Sequence, residues 1–128
     1  MRREPIFKRI KKISEAEPHE LIEIHARAAS GYNVKRYLVR FTRQGNTIII
    51  DFYNKNGDAI WEDWGWRTKR YHINAADWNS STFRANGCMH YLNKDEAYND
   101  SINLLKEKKR NINKTIVDLQ YALHSVEV

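Results

Sequence analysis

The sequence predicts a two-layer α+β domain: a short N-terminal helix, an antiparallel β-meander of about 4–5 strands, and a long C-terminal helix packed on the sheet or on a second copy. Three observations predict it. Residues 21–53 hold three strand-like runs separated by turn residues, Asn56-Gly57 follows as a hairpin dipeptide, and beyond Asn93 the apolar residues recur at steps of three and four. With 128 residues, 41% of them apolar, the chain can bury one modest core, so a single domain over residues 1–128 is expected.

Pro5 suits a first helical turn, and Ile6, Phe7, Ile10 and Ile13 fall on one helical face opposite Lys8, Arg9, Lys11 and Lys12. Pro18 should end that helix. Ile22, Ile24, Ala26 and Ala28 then alternate with Glu23, His25 and Arg27, the pattern of a half-buried strand. After turn residues at 30–33, Tyr37, Val39 and Phe41 alternate against Arg36, Leu38, Arg40 and Thr42, which are expected on the solvent side. Gln44-Gly45-Asn46 leads into the β-branched run 47–53. A fourth strand over 60–66, interrupted by Gly65, and a fifth over 69–73 complete the meander. Residues 74–87 read as loop and 88–92 as a short last strand.

Asn93 is a helix N-cap, with Asp95 and Glu96 in the first turn, where the helix dipole favours negative charge. Behind it, Ile102, Lys109, Ile116 and Leu123 form one row of a heptad seam and Leu105, Ile112, Leu119 and Val126 the other. The seam reads either as a homodimer contact or as the side packed on the chain's own sheet. Asn111 and Asn113 are weak helix formers that could split the segment near Arg110.

Twenty-two Lys and Arg against sixteen Asp and Glu give a net charge of +6, a balance that suits nucleic acid or an acidic protein surface. The charge lies in blocks. Residues 1–12 carry six positive groups and one negative, residues 13–30 one positive and four negative. The leading expectation is therefore a small basic binding module, not an enzyme. It would hold nucleic-acid phosphates through Lys8, Arg9, Lys12, Arg36, Arg40, Lys69 and Arg70, contacts that position a protein without reading sequence. The same side chains also read as the solvated outer face of a small sheet. The basic run 106–110 reads as a solvated helix face or as a helix laid along phosphates.

A second class rests on Trp61, Trp64 and Trp66, three tryptophans within six residues. They could fill the core or anchor a larger protein partner, and Glu62 and Asp63 beside them would repel phosphate. That reading makes the chain an accessory or inhibitor protein of the kind found in bacteria and their phages, in keeping with its Asn-, Lys- and Ile-rich composition. Homodimerisation would use Ile102, Leu105, Ile112, Ile116, Leu119 and Leu123. A third class, a metal-independent ribonuclease, would take acid and base from His25, His72 and Tyr71 and a phosphate clamp from Arg67. It requires the fold to bring these residues together.

Neither a cofactor nor a metal is expected. Cys88, His90 and His72 lack the paired spacing of zinc ligands, and no glycine-rich phosphate loop is present. A lone cysteine and a charged N-terminus point to the cytoplasm, of the host cell if the protein is viral, and no apolar run suggests a membrane partner.

Overall fold

The computed structural model describes residues 5–62, 65 and 67–125. Six strands form one antiparallel sheet: β1 (Ile22–Arg27), β2 (Val34–Gln44), β3 (Thr47–Tyr53), β4 (Arg70–Asn74), β5 (Thr82–Ala85) and β6 (Cys88–Tyr91). The spatial order is β4-β3-β2-β1-β6-β5, and the outer strands β4 and β5 approach one another through a 3-10 turn at Ala75–Asn79, so the sheet is nearly closed. A single helix, α1 (Lys94–His124), follows.

The alternation expected for β1 and β2 sets the inside of this sheet. Ile22 and Ile24 of β1 meet Val39 and Phe41 of β2, Ile48, Ile50 and Phe52 of β3, and Phe83 and Ala85 of β5 in one buried cluster. Rings lock edge to face across it, with Phe52 against Tyr37 and Tyr71 at centroid distances of 5.6 and 5.5 Å, a geometry the ring quadrupoles favour. The β2–β3 connection is the expected tight one: Gln44 pairs with Thr47 across Gly45-Asn46, with Gly45 at φ 59°.

The expected N-terminal helix is absent. Residues 5–12 instead run extended, followed by one 3-10 turn at Ile13–Glu15. The cause lies in β1, whose residues His25, Ala26 and Arg27 pair with β6 while its start is left open on that edge. Lys8 fills the gap: its N–H donates to the Leu21 carbonyl at 2.8 Å and its carbonyl accepts from Glu23 N–H at 3.0 Å. An open strand edge satisfies backbone groups that a one-to-two-turn helix would leave unpaired. Ile13 and Ala16 then fold under the sheet as part of the core, while Ile6 remains 92% exposed.

Further along, the strand expected over 60–66 does not form among the described residues, which show only isolated bridges, Tyr53 with Ala59 and Trp61 with Thr68. The strand after it is β4, and the expected loop over 74–87 contains both the second 3-10 turn and β5. Six strands thus form among the described residues, where about 4–5 were expected.

Helix α1 starts where predicted. Asn93 Oδ1 accepts from Glu96 N–H at 3.0 Å, Asp95 and Glu96 occupy the first turn, and the helix continues unbroken through Asn111 and Asn113 for 31 residues, about 46 Å. Its first half covers the outside of β1 and β6, where Ala97 and Ser101 are buried. Ser101 Oγ and Lys108 Nζ donate to the carbonyls of Gly31 and Ser30, and Leu104 packs against Gly31. From Lys109 to the end of α1 every residue is exposed, so about 24 Å of helix projects away from the sheet.

Candidate functional site

The outer face of β1 and β2, expected to be solvated, is largely covered by the extended N-terminal segment and by α1: Leu38 is fully buried, as are Glu23 and His25 on β1. Glu23 pairs with Leu38 across the strands, and His25 with Arg36, so these side chains share one side of the sheet. Arg36 Nε donates to Glu23 Oε2 at 2.7 Å and Arg9 Nε to Oε1 at 3.0 Å, while His25 Nε2 lies 3.3 Å from the same Oε1. Both guanidinium groups also stack on the Phe7 ring, at 5.4 Å for Arg9 and 4.8 Å for Arg36.

Burial alone would push the Glu23 carboxyl up, but the hydrogen bonds from Arg9, Arg36 and His25 outweigh it and hold the group at about 2. For His25 the balance goes the other way: burial lowers its pKa more than Glu23 raises it.

A second carboxylate punctuates the same face. Arg40, Asp51 and Arg70 form a cross-strand row on β2, β3 and β4. Arg70 grips Asp51 with two bonds, Nε to Oδ1 at 2.5 Å and Nη2 to Oδ2 at 3.2 Å. Arg40 stacks on the Tyr53 ring at 4.9 Å and donates to its hydroxyl at 3.3 Å. Lys8 is paired with Glu20. Lys69 turns toward Tyr37, Phe52 and Tyr71, its ammonium 5.1–5.7 Å from the three ring centres. Of the seven side chains assigned to phosphate, four are therefore matched to carboxylates and two to aromatic rings, and Lys12 stands exposed near the first 3-10 turn. They do not converge on one basic patch.

Trp61 is 58% exposed, while Trp64 and Trp66 lie outside the described residues. Trp78 packs against the core under the Arg43 guanidinium. Of the residues of the ribonuclease reading, Arg67 and His72 line one cleft with Thr68 and Arg70, whereas His25 is buried on β1, separated from β4 by β2 and β3, and Tyr71 turns inward beside Phe52. Among the described residues, no group of three or more His, Cys, Asp and Glu side chains is placed to hold a metal ion, and no helix is long and apolar enough to cross a membrane. A cleft between the N-terminal segment and the start of α1 is lined by Arg9, Lys11, Glu23, Lys94, Asp95 and Glu96, a mixture that favours neither sign of ligand.

The projecting half of α1 is the most distinctive surface. Ile112, Ile116, Leu119 and Leu123 are 59%, 46%, 65% and 77% exposed, with Val117 and Tyr121 beside them. Ile102 is also exposed and Leu105 half-buried, so the seam borders the face laid on the sheet without forming it; that stripe is Ala97, Ser101, Leu104 and Lys108, about a quarter turn round the helix. Lys109 stands in the seam row and Lys106 beside it, while Arg110 and Lys114 lie on the outer face of the helix, with Glu107 and Asp118 as the acidic residues of that stretch. Comparison with known proteins finds no matching family model, no similar curated protein and no similar solved structure.

Proposed function

We propose that the chain is a binding module whose working element is the projecting half of α1, and that this element engages protein. One observation carries the reading: a run of large apolar side chains at heptad spacing stands in solvent on a helix that its own domain contacts only as far as Lys108. Contiguous exposed apolar surface of this kind marks an interaction site, and an amphipathic helix presented at steps of three and four is a recurrent docking element. The closed sheet then acts as the mount that orients the helix.

The test is capture from the native cell with the full chain and with an Ile116→Asp/Leu119→Asp variant, whose substitutions touch nothing in the core. Proteins held by the first and lost from the second support the reading; identical capture by both overturns it.

A second reading, association with nucleic acid, draws support from the helix rather than from the sheet. Lys106, Lys109, Arg110 and Lys114 are exposed along two turns and outnumber the acidic side chains of that stretch, Glu107 and Asp118. Binding through them would weaken steeply with salt and would survive loss of Arg36 and Arg40. Equal affinity after charge removal at Lys106, Arg110 and Lys114 would sink it.

A further inference from the structure

We infer that the seam of the projecting helix is covered by a second copy of this chain, with the two helices antiparallel. The inference rests on the reading of α1 as the protein-binding element and names its partner. The exposed seam residues 112, 116, 119 and 123 are separated by steps of four, three and four. That order is the same in both directions, so an inverted copy presents the same knobs to the same holes. Pairing about the midpoint between residues 117 and 118 sets Ile112 against Leu123 of the second copy and Ile116 against its Leu119. Both large side chains of every layer are ones that the isolated chain leaves in water.

Charge decides the orientation. A parallel pair would set Lys109 against its own copy in one seam layer and lay two basic runs, Lys106 to Arg110 in each chain, side by side. In the antiparallel pair Lys109 falls beyond the Ile112 layer, opposite position 126 of the second copy, so the two ammonium groups are kept apart. The basic stretch then lies beside the carbonyl end of the other helix, which carries the negative end of the helix dipole. The flanking positions Asn113, Thr115, Gln120 and Ala122 are uncharged and repel neither arrangement. Nor does the sheet obstruct a second helix, because the stripe that meets the sheet lies about a quarter turn away from the seam.

Sedimentation equilibrium of the full chain tests the proposal. The expected result is a concentration-dependent doubling of the 15.2 kDa mass, lost in Ile116→Asp/Leu119→Asp while the thermal transition of the sheet is kept. Orientation is read in a Cys88→Ser background, where Ile112→Cys mixed with Leu123→Cys should form a mixed disulfide and Leu123→Cys alone should not link to itself. A mass of one copy at every concentration, a mass above two copies, or self-linking of Leu123→Cys overturns the proposal. A monomeric chain that still loses its captured protein on Ile116→Asp/Leu119→Asp removes the second copy alone and leaves the broader reading standing.

Discussion

Arg36 reaches back from β2 to the buried carboxylate of Glu23 on β1, and from the other side Arg9 of the extended N-terminal segment takes the second oxygen of the same group. One acidic side chain thereby ties that segment to the sheet. It also absorbs charge that the sequence alone would assign to a phosphate-binding surface.

Substituting Glu23→Gln should destabilise the fold by about 2–4 kcal/mol at neutral pH, because it strips two guanidinium groups of their partner. The loss stays at the lower side of the range for broken buried pairs because both arginines reach solvent. Chemical denaturation of the two proteins measures it. A loss below about 0.5 kcal/mol, the scale of ordinary surface changes, would contradict the assigned role.

The same carboxylate makes stability depend on acid. Its folded-state pKa of about 2 lies below the usual 4.5, so its contribution is complete above pH 4.5 and disappears as the pH falls from there toward 2. Unfolding midpoints followed over that interval should fall more steeply for the natural chain than for Glu23→Gln.

A separate, higher window belongs to His90. The ring is buried inside the sheet, stacked on Phe83 at 4.7 Å, and burial pushes its pKa from 6.5 down to about 4. A depressed pKa means the folded state resists protonation, so stability is full above pH 6.5 and falls as the pH drops through 6.5 to 4. His90→Phe keeps the stack and removes the titration; the decline between pH 6.5 and 4 should become shallower in that variant.

Gly31 joins the helix to the turn after β1. It sits at φ +83°, and a Cβ there would come within 2.9 Å of Leu104 Cδ2. Gly31→Ala should therefore cost about 1–3 kcal/mol, from backbone strain and a crowded contact together. Its effect on hydrogen exchange should concentrate in residues 94–108, the part of α1 that the turn holds.

Arg70 and Phe52 provide a contrast between surface and core. Arg70→Ala removes a well-formed but exposed pair with Asp51 and should cost no more than about 1 kcal/mol, less at high salt. Phe52→Ala empties the centre of the ring cluster and should cost about 3–5 kcal/mol, independent of salt. Similar losses for the two would contradict the described packing.

Local chemistry made part of this fold legible in advance. The inward faces of β1 and β2, the Gly45-Asn46 turn and the Asn93 cap each depend on neighbours within a few residues, and each forms as the sequence suggests. What was not legible depends on distant partners. Ile6, Phe7, Ile10 and Ile13 have helical spacing, yet their conformation is decided by the open edge of β1, which exists only because β6 covers the other half of that strand. The four residues of β5 carry too short a pattern to separate from loop, and their pairing with β6 supplies what the pattern lacks. At the candidate site, the sign of Arg36, Arg40 and Arg70 could be read directly. The pairing of Arg36 with Glu23 and of Arg70 with Asp51, and the stacking of Arg40 on Tyr53, required the cross-strand register. The seam was visible in the sequence, and the quarter-turn offset that frees it from the sheet was not.

The position of β1 also bears on how the chain is made. As the nascent polypeptide emerges, β1, β2 and β3 can pair in order, each with a partner only a turn away, but His25 must wait for Tyr91 before β6 closes the other edge. In the folded chain the segment around Lys8 occupies the end of that edge that β6 does not reach. Between them the two segments leave neither end of that edge of β1 open to a strand from another molecule: Lys8 closes it at Leu21 and Glu23, and β6 from His25 to Arg27.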